Sequence, residues 1–343
     1  MTEPFGIATG AQPVAENVLV TLTLENGIVG LGEGAPFPAV SGETQASTLA
    51  AVRDSAPMIV GRDTTDVRGA AEAMRSVVPR EAAARSAVEQ AMFDALARSA
   101  GLSLSALFGG RGAVLETDMT ITTGDVEHAR RSARAIAERG IHAIKLKVGG
   151  APYREDLDRL EAVHREAPSA TLTVDANGGY SVEDAIAFAK AARARRLPLA
   201  LFEQPVAPGS IAALAEVTAH AGVLVCADES ARSAHAVFEI AKHAAAGAVN
   251  LKITKTGVVE AVAMWHVARA AGLELMIGGM VEAELAMTFS AHLASGLGGI
   301  RFVDLDTPLF LKDSPFVGGF ALDGGRIVLD GAAPGVGVTL GSP

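Results

Sequence analysis

The chain has 343 residues, 49% of them apolar and 20% charged, and a net charge of −10. That length and apolar content suit one large barrel domain with a smaller one beside it, and the acidic balance argues against nucleic acid and anionic membranes as partners. The single cysteine, Cys226, excludes an internal disulfide and reads as a small buried apolar residue in a reducing compartment.

In chain order, residues 18–24 and 28–33 flank Glu25-Asn26-Gly27 and read as a β-hairpin with a tight primed turn. A loop over 35–43 follows, then helices over 44–60 and 81–100, with Gly101 as a stop. From about residue 113 a strand–helix rhythm begins. Strands are expected at 117–122, 142–148, 171–175, 200–203, 224–228, 248–253, 273–277 and 300–304. Helices are expected at 125–139, 153–165, from Ser181, and at 211–219, 234–244, 258–271 and 282–295. Ser181 is a good N-cap, with Glu183 and Asp184 in the first turn. The period is that of a (β/α)7β TIM-like barrel. A doubly wound open sheet would use strand ends from one crevice only, whereas here nearly every strand end is polar. The Gly-rich tail cannot extend the barrel and is expected to return to the N-terminal segment, completing an α+β capping domain. The expected divisions are 1–112 for the capping part, 113–312 for the barrel and 313–343 for the tail. No basic start with an apolar block opens the chain and no apolar run approaches the ~18 residues that span a bilayer, so a cytoplasmic protein is expected.

Three acidic residues end apolar runs at nearly even spacing: Asp175, Glu203 and Asp228, 28 and 25 residues apart. Buried carboxylates are costly without cationic partners. Three on successive strand ends suit Mg²⁺, which prefers oxygen ligands, and no Cys/His cluster points to zinc. Lys145 and Lys147 alternate with apolar residues, so both face inward. Burial and mutual charge should disfavour their protonation, leaving a lysine able to take a proton from carbon. Lys252 ends a later strand and reaches the same place from another face.

Lys145-Leu-Lys147, Val174-Asp175-Ala-Asn177, Phe202-Glu203-Gln-Pro205, Ala227-Asp228-Glu229-Ser230 and Asn250-Leu-Lys252 together resemble the enolase superfamily in its muconate-lactonizing-enzyme-like branch. The resemblance covers almost the whole chain. It implies Asp175, Glu203 and Asp228 as Mg²⁺ ligands and Lys147 and Lys252 as acid/base lysines on opposite faces of an enolate. It also implies Lys145 as support for Lys147 and the substrate carboxylate, and Asn177 and Glu229 as residues behind the metal ligands. Two opposed lysines favour epimerisation, because one removes the α-proton and the other returns one on the far side.

Asp304-Leu-Asp306 places two acids on one face of the last strand end and looks like the pair that family dipeptide epimerases use for the substrate ammonium. Gly278, Gly279 and Met280 resemble the family's small seventh-strand end, which leaves room for the substrate carboxylate. Family members acting on Ala-Glu carry an arginine in the early loop. Here Pro4–Gly10 aligns there, Gly10 stands at the arginine's position, and Phe37, Pro38 and Val40 are apolar, which favours a neutral or apolar second residue. The family's usual first strand is expected to be missing from the start. The resemblance thus implies an Mg²⁺-dependent dipeptide epimerase inverting the C-terminal residue's α-carbon. The alternative is another enzyme of the branch: a cycloisomerase, an N-acylamino-acid racemase or an o-succinylbenzoate synthase. Expected partners are a small substrate and further copies of the chain.

Overall fold

The structure, a computed structural model, describes residues 1, 4–8, 10–110 and 114–341. Thr9 of the early loop, the expected boundary at 112 and 113, and the last two residues of the tail lie outside them.

Eight parallel strands form the barrel: Met119–Ile121, Ala143–Lys147, Thr171–Asp175, Leu199–Glu203, Val225–Ala227, Ala248–Leu251, Glu274–Ile277 and Phe302–Val303. Their order in space is their order in sequence. The first and last strands meet where Asp118 N donates to Val303 O at 2.9 Å and Thr120 N donates to the Asp306 carboxylate at 2.5 Å. Seven long helices follow the strands, as the alternation implied. Several start where the sequence placed a capping side chain: Asp125, Ser181, Ser210 and Ser233 each accept an N–H from three residues on. The largest core lies between sheet and helices, around Ile144, Leu172, Phe188 and Phe202.

The capping part holds the hairpin Val18–Thr23 and Val29–Gly34, in register along its whole length. Its turn is not the primed one expected. Gly27 alone takes a left-handed φ, of 85°, and Leu24 N bonds Ile28 O, which makes a three-residue loop closed by a bulge. Helices Gln45–Ile59 and Ala82–Ala100 match their expected places, and Val67–Val77 between them was not anticipated. Gly30, Gly32 and Gly34 lie directly on the last helix. A Cβ at Gly32 would stand 1.9 Å from Ala87 O. The alternating glycines therefore let the hairpin seat on the Ala83, Ala87, Ala91 row. The tail reaches this helix as well: Val336 N donates to Asp94 Oδ1 at 2.7 Å, and Val336 and Val338 pack with Leu31, Ala97 and Leu104. It adds no strand to the hairpin; Arg326–Val328 pairs instead with Leu115–Glu116. No helix among the described residues is long and apolar enough to cross a membrane.

Buried carboxylates from the capping part fix it to the barrel. Glu33 Oε1 accepts Ala283 N at 2.8 Å and Oε2 accepts Ala286 N at 3.0 Å, capping the barrel helix Glu284–Leu297. Glu89 Oε2 accepts Val259 N at 2.8 Å, at the start of Val258–Ala270. The expected seventh helix therefore begins at Glu284 and not at Glu282, because its cap comes from another domain. Glu33→Ala should lower unfolding free energy by about 3 kcal/mol, since it leaves buried donors without an anionic acceptor. Urea unfolding checks this, and a loss below about 0.5 kcal/mol would show that the cap carries no load.

Candidate active site

The carboxyl ends of the strands gather the charged residues. Lys147, Asp175 and Glu203 are level on three adjacent strands, Asp228 follows the fifth strand, Lys252 the sixth and Asp304 the eighth. All are buried. Lys147 and Lys252 stand on the second and sixth strands of eight, halfway around the barrel from each other.

Lys147 Nζ lies 2.7 Å from Asp175, and Lys252 Nζ lies 2.7 Å from Asp228. Lys145 Nζ sits lower, 2.7 Å from Glu203, 2.7 Å from Asp304 and 3.2 Å from Asp175. For Lys145 this corrects the expectation of a neutral lysine. Burial lowers the Lys145 pKa, but Asp304, Glu203 and Asp175 outweigh it, and the ammonium stands well above its ordinary value. Lys252 is raised in the same way, burial being overcome by Asp228 and Glu203. Asp175 shows the converse: burial raises it, yet Lys147 and Lys145 hold it down to about 2. For Lys145 and Lys252 repulsion from neighbouring lysines is the smaller effect, because each has a carboxylate within bonding distance.

Asn177 stands between Asp175 and Glu229. Asn177 takes a left-handed φ of 42°, which asparagine tolerates. Its N–H donates to Asp175 Oδ1 at 2.9 Å and its amide to Glu229 Oε1 at 3.1 Å. Burial first, then Asp228, lifts Glu229 to about 7. A Cβ on Gly279 would meet Met287 Cε at 2.2 Å and Glu282 Oε2 at 2.4 Å, so those side-chain ends would have to move. A Cβ on Gly278 would meet Asn250 at 2.9 Å and Asp304 at 3.3 Å, so this glycine faces the charged cluster. Met280 N donates to Glu282 Oε2 at 2.7 Å. Asp306 begins a short 3-10 turn, Thr307–Phe310, and lies fully buried beside Asp304.

Four residues were missed. Asn250 Nδ2 donates to Glu203 Oε1 at 2.7 Å, and its position two before Lys252 was the available signal. Lys255 Nζ bonds Asp228 Oδ1 at 2.6 Å and Asn250 O at 3.0 Å, from a helical turn that strand alternation cannot reach. Gln204 Oε1 accepts both Asp228 N and Ser230 N, which fixes the fifth strand's end. Asp118 is the fourth. Among the described residues, the acidic group in which one oxygen from each member lies within 4.8 Å of the others is Asp118, Asp304 and Asp306, and not the trio expected to bind metal. Asp175, Glu203 and Asp228 are each paired with a lysine instead.

An apolar wall stands beside these charges. Phe5, Ile7, Phe37, Met280, Val281 and Phe310 form one cluster, and Lys147 Nζ lies 5.8 Å from the Phe5 ring centre. Gly10, in the strand Gly10–Gln12 that pairs with Phe5–Ile7, is exposed.

A capped barrel with acidic strand ends between opposed lysines defines an enzyme of the enolase type. Residues 1–109 match the mandelate racemase / muconate lactonizing enzyme N-terminal domain, and residues 127–342 match the enolase C-terminal domain-like family. The chain belongs to this family and is an isomerase. It is 52% identical over 340 residues to a protein of Herpetosiphon aurantiacus named aromatic dipeptide epimerase, covering 99% of this chain and 95% of that one. A protein of Citrifermentans bemidjiense named hydrophobic dipeptide epimerase is 35% identical, with 98% and 94% covered. The crystal structure of a dipeptide epimerase from Enterococcus faecalis with Mg and L-Leu-L-Tyr superposes with a TM-score of 0.94 at 30% identity, covering 98% of this chain and 95% of that one.

Proposed function

We propose that this chain is an Mg²⁺-dependent dipeptide epimerase that inverts the α-carbon of the C-terminal residue by 1,1-proton transfer through an enolate. The observation that carries this reading is the placement of Lys147 and Lys252 halfway around the barrel from each other, with Asp175, Glu203 and Asp228 on the strands between. The dipeptide-named relatives support the substrate class.

Asp175, Glu203 and Asp228 would hold the Mg²⁺. Their donor set is all oxygen, and Glu203 Oε2 and Asp228 Oδ2 each meet a lysine ammonium at 2.7 Å, so these oxygens already face positive charge. Bound there, Mg²⁺ supplies positive charge that favours the enolate and offsets the carboxylate field on the lysines. Lys147 then takes the α-proton on one face and Lys252 delivers one on the other, with the roles exchanged in the reverse direction. Lys145 supports Lys147 and the substrate carboxylate, and Gly278, Gly279 and Met280 leave room for that carboxylate. Asn250, Lys255, Asn177 and Glu229 hold the acidic trio in place. The apolar cluster around Phe5 and Phe37 favours an apolar or aromatic side chain on the second residue, where Gly10 offers no cation. The division at 112 belongs to this proposal, supported by family matches that end at 109 and restart at 127; the division at 312, which the match over 127–342 crosses, rests on the tail's bond to Asp94 of the capping helix. A cytoplasmic location also belongs to this proposal, in keeping with the buried free thiol of Cys226.

Asp304 and Asp306 would bind the substrate ammonium. Free dipeptides should therefore be preferred over their N-acetyl analogues. A charge-assisted hydrogen bond is worth about 1.5–3 kcal/mol, or roughly one to two orders of magnitude in kcat/KM. Asp306→Asn should weaken dipeptide turnover and narrow the gap to the N-acetyl compound. Better turnover of N-acylated amino acids by the unaltered enzyme would put the racemase reading in its place.

A further inference from the structure

Barrel closure adds a third acid to this corner. Asp118 lies just before the first barrel strand, and its N–H donates to Val303 O at 2.9 Å, which draws it against the end of the last strand. The residue is buried, at 4% exposure, and one carboxylate oxygen from each of Asp118, Asp304 and Asp306 falls within 4.8 Å of the others.

The partners of these carboxylates are incomplete in a telling way. Asp304 Oδ2 is taken by Lys145 at 2.7 Å. Asp306 Oδ2 is taken by Thr120 N at 2.5 Å. Asp118 Oδ1 and Asp306 Oδ1 are buried and have no hydrogen-bond partner among the described residues. An orphaned buried acceptor carries its full desolvation cost. The strain shows in the acids themselves: burial, then the charge of Asp304, raises Asp306 to about 7 and Asp118 well above its ordinary value. A ligand that brings several N–H donors and a positive charge relieves both costs at once.

We infer that Asp118 is the third acceptor of the ammonium cradle, so that Asp118, Asp304 and Asp306 each receive one N–H of a primary amine. An alkylammonium has three donors in a compact tripod, which matches three convergent carboxylates and no planar cation. The inference rests on the dipeptide reading above and goes beyond it: a residue at the entry of the first strand makes the enzyme select a primary amine, where two acceptors would tolerate a secondary one.

The test measures kcat and KM of the Mg²⁺-loaded enzyme with three substrates: an alanyl dipeptide with an apolar second residue, its N-methyl analogue, and its des-amino analogue with propanoyl in place of alanyl. In the unaltered enzyme N-methylation should raise KM about tenfold or more, the size of one lost charge-assisted bond, with kcat changed little. In Asp118→Ala the primary amine's KM should rise by a similar factor, and the preference over the N-methyl compound should fall to within about threefold. The des-amino analogue, already poor, should lose nothing more. A preference for the primary amine that survives Asp118→Ala overturns the inference. So does a des-amino analogue that loses as much as the dipeptide, which would mark a structural role, or a changed Mg²⁺ affinity with the dipeptide KM intact. Asp118→Asn, nearly the same shape, carries the same comparison if Asp118→Ala does not fold. Failure of the unaltered enzyme to epimerise any free dipeptide would overturn the dipeptide reading itself, a different outcome from all of these.

Discussion

Lys147→Ala and Lys252→Ala should each abolish epimerisation while leaving half of the exchange chemistry in place. General acid–base groups contribute about 10²–10⁴-fold, and inversion needs both lysines, so either loss should lower epimer formation by about a thousandfold or more. Each variant keeps one base. That base should still exchange the α-proton of the diastereomer that presents its hydrogen to it, and the two variants should select opposite diastereomers. The measurement is deuterium incorporation into each diastereomer separately. Equal loss of exchange from both diastereomers in both variants would leave one-sided chemistry as the better account. The structure sharpens the expectation. Lys147 and Lys252 are each held by a different carboxylate, Asp175 and Asp228, so neither substitution removes the partner of the other lysine.

Removing the divalent ion, or one of its proposed ligands, should be as severe. The enolate of a carboxylate is a dianion, and losing its counter-charge forfeits several kcal/mol of stabilisation. Exhaustive chelation, and Asp228→Asn in the presence of Mg²⁺, should each lower turnover by about a thousandfold or more. Titration of Mn²⁺ followed by its paramagnetic resonance reads the site without turnover: Asp228→Asn should weaken binding, and Asp118→Asn should leave it unchanged. The reverse pattern would place the ion among Asp118, Asp304 and Asp306, and full activity after chelation would remove the metal from the reaction altogether.

Much of this site was legible because a barrel converts linear position into direction. A polar residue that ends an apolar run must lie at the mouth, so Asp175, Glu203, Asp228 and Lys252 could be assigned to one place from spacing alone. What the spacing could not give was the outcome of competition among them. Lys145 was expected to be pushed towards neutrality by burial and by Lys147, and carboxylates at bonding distance hold it charged instead. Asp118 was missed for a topological reason. It precedes its strand, where the rule for strand ends does not look, and it joins the site only because the first strand closes against the last. Lys255 escaped because it stands on a helical turn three residues beyond Lys252. The hairpin turn was misjudged because Asn26-Gly27 was taken for a primed pair, while only Gly27 takes the left-handed conformation. Glu33 shows the same limit at the level of domains: a glutamate between two glycines gives no sign that it caps a helix some 250 residues later in the chain.

The most direct test of the account is the fate of the α-hydrogen in the unaltered enzyme. Free dipeptides with apolar and aromatic second residues are incubated with the Mg²⁺-loaded protein in D₂O, and products are separated by diastereomer and weighed. The account predicts one deuterium per molecule, placed on the α-carbon of the C-terminal residue, and conversion of either diastereomer into the mixture of both. Recovery of every dipeptide with its hydrogen and its configuration intact, while N-acylated amino acids exchange, would contradict it.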